Sequence, residues 1–329
     1  MDEAAVSLVG VVIIGRNEGA RLVKCFDSVQ GKVNSIVYVD SGSTDDSVTM
    51  SKSRGINTLE LNVAIPFTAA RARNEGFRRL TQLQPDLDYV QFIDGDCEVV
   101  DGWLESATCF LRCNHEVAVV FGRLRERYPD RSLYNMLCDI EWDTPVGEAK
   151  ACGGNAMMKV NAFKQVEGFN QNLIAGEEPE LCIRLRQKGW KIWRIDDEMM
   201  LHDAAMTRFS QWWKRSMRGG YSFAEGAHLH GKPPERHRVK ELRRAWIWGM
   251  LIPFVAILSL CLFGPWALII LTIYPLQIVR LTIKGDRGLK INFLRALFLI
   301  LGKYPEMLGG IQFLLDRIFR KNTKIIEYK

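Results

Sequence analysis

Phe92-Ile93-Asp94-Gly95-Asp96 is an apolar run that ends in two carboxylates one glycine apart. Alternate side chains of an extended segment share a face, so Asp94 and Asp96 can point the same way. Gly95 lets the backbone turn without a steric penalty. Carboxylates at the C-terminal edge of a strand lie where open α/β sheets bind ligands. Such oxygen donors suit Mg2+ or Mn2+, and a cation bridging a diphosphate is their usual guest. A solvated turn is the competing reading, since Asp and Gly are also common turn residues.

Other residues add chemistry at the same edge. Asp40 ends a second apolar run, where a carboxylate can accept from a nucleobase N–H or a ribose hydroxyl. Ser41-Gly42-Ser43 behind it offers backbone N–H groups at a helix start. A capped turn explains the same segment equally well. Arg71 and Arg73 lie two apart on a helix, so they face different ways; one can meet phosphate while the other is a surface charge. The acids of Gly176-Glu177-Glu178-Pro179-Glu180 open another helix, with Pro179 expected at its first position, Glu178 near its cap, and Glu180 paired with Arg184. A carboxylate at such a junction can be a general base if its pKa is tuned. The alternative is plain complementation of the helix dipole, worth about 0.3–1 kcal/mol. Gly153-Gly154-Asn155 reads either as a β-turn or as a place where a sugar approaches the backbone. His202 follows the last strand and is either structural or a completing ligand for a carboxylate-bound metal.

The elements that must position these groups alternate between strand and helix. Strands are expected over Ser7–Ile14, Ser35–Val39, Asn57–Val63, Tyr89–Ile93 and Val117–Phe121, with Trp190–Ile195 closing the sheet. Helices are expected over Glu18–Gln30, after a Ser43 or Thr44 cap, and over Ala69–Leu83 behind Pro66 and Phe67. A short strand and a helix should follow Gly154, ending near Gly168. This order implies a doubly wound, mostly parallel α/β sheet with flanking helices. No Gly-x-Gly-x-x-Gly follows a strand and no Gly-Lys-Ser/Thr occurs, which argues against dinucleotide cofactors and P-loop NTPases.

Composition is uneven along the 329 residues. Residues up to about Arg244 read as soluble. The segment 231–244 is polar and basic, with Pro233-Pro234, and reads as a linker. Trp246–Phe263 and Pro265–Ile283 are each long enough to cross a bilayer, which needs about 17–25 residues. Basic residues flank both outer sides, so the positive-inside rule makes 246–283 a hairpin with its flanks in the cytosol. A buried core hairpin is the competing reading, though a soluble helix pair of this length would need some polar face. A third apolar stretch, 291–319, carries charges and reads as a kinked span or an interfacial helix. The net charge of +6 gathers beside these segments and in the tail, which favours an anionic membrane surface. No zinc-finger spacing or interleaved basic-aromatic groove points to nucleic acid. The eight cysteines form no Cys-x-x-Cys pair and read as buried thiols of a reducing compartment. The N-terminus shows no signal-peptide pattern, so export of the soluble part is not expected.

In combination these residues resemble the family 2 glycosyltransferases, over about residues 6–230. Val11-Val12-Ile13-Ile14-Gly15-Arg16-Asn17-Glu18 is similar to the family's opening strand and nucleotide loop. Val39-Asp40-Ser41-Gly42-Ser43-Thr44-Asp45, Ala72-Arg73-Asn74-Glu75-Gly76, Asp94-Gly95-Asp96 and Gly176-Glu177-Glu178-Pro179-Glu180-Leu181 resemble its later motifs, in order. The resemblance implies a GT-A catalytic domain over 1–230 and a membrane region over 245–329. It implies inverting transfer of a sugar from a nucleotide-diphosphate donor, with Mg2+ or Mn2+. In that picture Glu178 is the base, Asp96 holds the metal, and His202 assists the metal or the diphosphate. Glu18, Asp40, Ser41, Arg73 and Asp94 hold the nucleotide, and Gly154, Asn155 and Glu177 lie on the acceptor side. A lipid-linked or glycan acceptor, reached at the cytoplasmic face of a membrane for surface polysaccharide or glycolipid synthesis, completes the expectation.

Two departures stand out. Glu178 occupies a position where the family usually has aspartate. Gln211-Trp212-Trp213-Lys214-Arg215 only echoes the Gln-x-x-Arg-Trp of processive synthases, so a single transfer is expected rather than polymerisation. The rival readings are a sugar-phosphate nucleotidyltransferase, for which Gly15-Arg16-Asn17 is a poor phosphate loop, and a catalytically silent membrane scaffold.

Overall fold

The computed structural model describes residues 8–65 and 67–319. Ser7, Pro66 and the basic tail after Phe319 lie outside them. The chain divides into two compact units, 1–207 and 208–329. That division falls upstream of the boundary expected at 230, because the helix 209–230 packs with later helices.

The first unit is a mixed α/β fold. In chain order its elements are β1 Val9–Gly15, α1 Ala20–Val29, β2 Ser35–Asp40, α2 Ser47–Ser53, β3 Asn57–Glu60, α3 Ala69–Leu83, β4 Tyr89–Asp94, β5 Cys97–Val99, α4 Trp103–Cys113 and β6 Val117–Glu126. Then follow α5 Leu133–Trp142, β7 Gly147–Ala149, β8 Ala156–Lys159, α6 Val160–Gln165, α7 Glu177–Gln187 and β9 Lys191–His202. The sheet order is β3-β2-β1-β4-β8-β6-β9-β5, with β7 also on β9.

The first half is parallel, as expected: β3, β2, β1 and β4 all run the same way. The second half corrects the mostly parallel sheet. β8 lies antiparallel between β4 and β6, and β5 and β7 lie antiparallel on β9. Trp190–Ile195 does not close the sheet either. β9 is longer than that segment, lies between β6 and β5, and carries His202 as its last residue.

Two packing features place the site. Gly15 is in register with Asp40, and Ile14 with Asp94, so three parallel strands end at one edge. A Cβ on Gly76 would stand 2.4 Å from Val12 Cγ1. The small face of α3, Ala70, Ala72 and Gly76, is buried, so this helix lies close on β1 and β2 and carries Arg73 to their edge. The other boundaries shift for local reasons. β3 stops at Glu60, and Arg71 donates to the carbonyls of Asn62 and Ile65 in the loop beyond it. α2 starts at Ser47, whose N–H donates to Asp45, while Ser43 is engaged elsewhere.

The second unit is helical: α8 Phe209–His230, α9 Val239–Trp246, α10 Ile252–Phe263, α11 Ile273–Lys284, α12 Leu289–Leu301 and α13 Lys303–Ile318. α8 and α13 touch backbone to backbone, since a Cβ on Gly220 would stand 1.9 Å from the Glu306 carbonyl oxygen. A π-helical turn joins α9 to α10, so one helix runs Val239–Phe263; a second runs Pro265–Lys284. Residues 239–244 are therefore helical rather than linker. Both helices are long and apolar enough to cross a membrane, and only 11% of the most apolar window of each is buried. The third stretch is two helices, broken at Gly302.

Cys25, Cys97, Cys138, Cys152 and Cys182 are buried free thiols, whereas Cys109, Cys113 and Cys261 are exposed, contrary to a uniform reading as core thiols.

Candidate active site

Arg73 organises the centre of the first unit. It is 2% exposed. Its Nη2 donates to Asp94 Oδ1 at 2.8 Å, and its Nη1 donates to Glu177 Oε1 at 2.9 Å and Glu178 Oε1 at 3.0 Å. One guanidinium from α3 thus ties the end of β4 to the start of α7. The Phe169 ring lies 5.6 Å from it and adds a cation–π contact. Burial works against the Arg73 charge, but Asp94, Glu178 and Glu177 outweigh it and raise its pKa.

Glu178 feels the other side of this balance. Burial raises its carboxyl most, and Glu177 raises it further; Arg73 opposes them, and the result is about 7. α7 begins one residue before Glu178, not after it. Gly176 adopts φ +82°, which glycine tolerates, and Glu177 opens the helix, so Pro179 is its third residue rather than its first. Glu177, Glu178 and Glu180 fill the first turn and Arg184 and Arg186 the last, matching the helix dipole. Arg184 and Glu180 pair at 2.7 Å, as their spacing predicts.

The residues expected on the acceptor side stand behind these carboxylates. Asn155 is buried; its Oδ1 accepts from the Asp94 N–H at 2.9 Å, and its Nδ2 donates to Asp94 Oδ2 at 3.4 Å. A Cβ on Gly154 would stand 2.1 Å from Arg73 Nη2, so that glycine makes room for the guanidinium. Glu177 is buried against Arg73. All three pack against Arg73 or Asp94.

The glycine turn separates the two aspartates. Asp94 serves Arg73 and Asn155, whereas Asp96 is buried and meets His202, with Asp96 Oδ2 3.3 Å from His202 Nε2. The Cys97 thiol donates to Asp96 Oδ1 at 3.7 Å. One donor atom from each of Asp96, Cys97 and His202 lies within 4.8 Å of the others. Carboxylate oxygen and imidazole nitrogen suit Mg2+ or Mn2+; a thiolate suits softer metals. The residues therefore fit a hard divalent cation on Asp96 and His202, with Cys97 acting as a hydrogen-bond donor.

The β1 and β2 loops are laced together. Asp40 is 2% exposed and accepts from Tyr38 Oη, the Gly42 and Ser43 N–H groups and Ser43 Oγ. The Ser41 N–H donates to the Gly15 carbonyl, Asn17 N–H to Ser43 Oγ, and Thr44 N–H to Asn17 Oδ1. Of the two readings of this segment, the structure displays the turn: Asp40 builds it, and the N–H groups of residues 41–43 face protein acceptors. Glu18 packs with its Cγ 3.2 Å from the Cβ position of Gly95 and pairs with Arg21 at 2.7 Å.

Residues 10–166 match the family model described as glycosyl transferase family 2, and residues 136–208 match one described as the N-terminal domain of galactosyltransferase. Over 240 residues the chain is 27% identical to the pre-mycofactocin glycosyltransferase of Mycobacterium tuberculosis, covering 68% of this chain and 48% of that one. Over 124 residues it is 28% identical to a TPR repeat-containing protein of Synechococcus elongatus, covering 37% of this chain and 28% of that protein. The chain thus spans less than half the length of these curated relatives. Among solved structures, the mannosyltransferase PcManGT from Pyrobaculum calidifontis, in complex with GDP-Man and Mn2+, superposes with a TM-score of 0.55 at 18% identity, covering 95% of this chain and 87% of that one. Glucosyl-3-phosphoglycerate synthase from Mycobacterium tuberculosis, in complex with Mn2+, UDP-Glc and phosphoglyceric acid, gives 0.50 at 17% identity, covering 70% and 82%. At these identities the likeness is one of fold.

Proposed function

Because this chain belongs to family 2 of the glycosyltransferases, we propose that it moves one sugar from a nucleotide-diphosphate donor to an acceptor hydroxyl, with inversion. The observation that carries this reading is Arg73, bonded at once to Asp94 of β4 and to Glu177 and Glu178 of α7. It brings a carboxyl whose pKa is about 7 to the sheet edge where Asp96 meets His202.

Glu178 takes the proton of the acceptor hydroxyl as that oxygen bonds to the anomeric carbon. The bond from that carbon to the donor's diphosphate oxygen breaks, and the nucleoside diphosphate leaves. Asp96 and His202 hold the divalent cofactor, Mg2+ or Mn2+, which when bound offsets the charge of the leaving diphosphate. Asp94 fixes Arg73 and faces the nucleotide; Asp40 and Ser41 shape the nucleotide side, next to Glu18. Gly154, Asn155 and Glu177 act on the acceptor side through Arg73 and Asp94.

The helices 239–263 and 265–284 cross a bilayer as a hairpin, with basic residues such as Arg243, Arg244 and Lys284 on the cytosolic side. The acceptor is a lipid-linked or membrane-delivered glycan, as in surface polysaccharide or glycolipid synthesis.

The test is nucleoside diphosphate release by the full chain in detergent, across a panel of nucleotide sugars with Mn2+. Asp96→Ala and Glu178→Gln should each remove transfer and leave the melting temperature in place; near-normal turnover in both sinks the assignment. Pyrophosphate released only from a triphosphate marks a nucleotidyltransferase instead, and no turnover with any donor marks a silent scaffold.

A further inference from the structure

Glu126 takes no part in the chemistry above, yet it is the most completely enclosed carboxylate near His202. β6 and β9 run parallel, with Glu126 directly in register with His202. The Glu126 side chain is 0% exposed. Its Oε1 accepts from the Tyr128 N–H and from Asn135 Nδ2, each at 3.1 Å, and its Oε2 accepts from the Ala204 N–H at 2.9 Å. That same Oε2 lies 3.9 Å from His202 Nδ1, while His202 Nε2 lies 3.3 Å from Asp96. The imidazole therefore stands between two carboxylates, one for each ring nitrogen, and the edge-to-face ring of Trp142, 4.6 Å away, flanks it.

The carboxylate also reaches past His202. Asn135, fully buried, donates to Glu126 and accepts from the Met206 N–H at 3.1 Å. The segment leaving β9 is thus fastened at Ala204 and at Met206, on either side of Ala205, which sits at φ +49°. A non-glycine residue holds that backbone conformation only where its surroundings fix it.

We propose that Glu126 is a positioning residue for His202. Its charge, 3.9 Å away and so acting through its field rather than a hydrogen bond, favours the proton on Nδ1, which leaves Nε2 as the metal-ligating nitrogen beside Asp96, and it sets the path of residues 203–206. Metal-bound histidines commonly give their second nitrogen a carboxylate partner, and loss of that partner costs about 10–100-fold in metal affinity. The proposal rests on the metal site described under the proposed function.

The experiment is Mn2+ binding to the full chain in detergent, without donor, followed by electron paramagnetic resonance. Glu126→Gln should weaken Mn2+ by about 10–100-fold with the melting temperature nearly kept, and should raise the Mn2+ concentration needed for half-maximal turnover more than it lowers the rate at saturating Mn2+. Added to His202→Ala, Glu126→Gln should cost nothing further; additive losses would show a general structural role and overturn the proposal. Binding weakened by His202→Ala but not by Glu126→Gln overturns it alone. Binding that His202→Ala leaves intact removes the metal site and the proposal together. Should Glu126→Gln not fold, Asn135→Ala keeps the carboxylate but removes one of the two donors to its Oε1 together with the Met206 anchor, and unchanged Mn2+ affinity there counts against the proposal equally.

Discussion

Arg73 and Glu178, 105 positions apart in the chain, meet at 3.0 Å between Nη1 and Oε1. The proposed base is therefore held by a cation that it shares with Glu177 and Asp94. Burial, and then the neighbouring Glu177 carboxylate, outweigh the shared guanidinium, and Glu178 keeps its proton up to about 7.

Transfer should follow that proton. A base must be ionised, so kcat/KM should rise with pH through about 7 and level off above it. Glu177 pushes Glu178 upward, so Glu177→Gln should move the rising limb toward acid. A limb that stays in place in Glu177→Gln would show that another group sets it. The same shift acts on stability with the opposite slope. A carboxyl raised above its unfolded value holds a proton that the unfolded chain releases. The stabilisation is complete below the ordinary carboxylate range and is lost as pH rises through about 7. Glu178→Gln should flatten that part of the melting-temperature profile.

Removing Arg73 should be worse than removing any one of its partners. Arg73→Ala leaves Asp94, Glu177 and Glu178 facing one another, and breaking a buried pair from one side costs about 3–5 kcal/mol. Arg73→Lys keeps the charge but loses the planar fork that reaches β4 and α7 together. Thermal melts should place Lys between wild type and Ala, with transfer lost in Ala and low in Lys. Equal melting temperatures for all three would show that the cluster adds nothing to the fold.

Gly154→Ala tests whether the position of the fork matters apart from its charge. The new methyl would stand 2.1 Å from Arg73 Nη2 and 3.0 Å from Glu178 Oε1, so the guanidinium must move. A displacement near 1 Å at a reacting group can cost about 10²-fold in rate. Single-turnover transfer should fall by about that factor, with Mn2+ affinity unchanged because Asp96 and His202 lie outside the clash. Transfer within a factor of about two of wild type would mean the arginine has slack there.

What the sequence revealed, and what it hid, follows from the range of the forces involved. β1, β2 and β4 declare themselves through runs of apolar residues, and their acids through local spacing, so the edge holding Asp40, Asp94 and Asp96 was legible. The far half of the sheet was not. β5 and β7 have three residues each, and the last part of β6, Arg123-Leu124-Arg125-Glu126, is polar because Arg123 pairs with Asp139. Glu126 was missed for that reason, although an acid ending a strand was the very signal used for Asp40 and Asp94. Arg73 was legible as a cation near the edge. That it would face three carboxylates from segments 21 to 105 positions away depends on tertiary packing, which no local pattern encodes.

The helical unit offers a test that does not depend on the chemistry. Trp266 is 89% exposed, Phe263 74% and Ile283 74%, so the two apolar helices present large side chains outward along their length. A soluble protein rarely leaves such a surface uncovered. The full chain should stay with membranes through high-salt and alkaline washes and leave them only in detergent. Ile257 points outward near the middle of α10, and arginine at the centre of a span costs about 2.5–3.5 kcal/mol on insertion scales. Ile257→Arg should therefore cut the membrane-bound fraction sharply, whereas Lys240→Ala, in α9 at the basic end of the same helix, should reduce it much less. A detergent-free, monodisperse full chain that binds nucleotide sugar would remove the membrane from the proposal and leave the transferase standing.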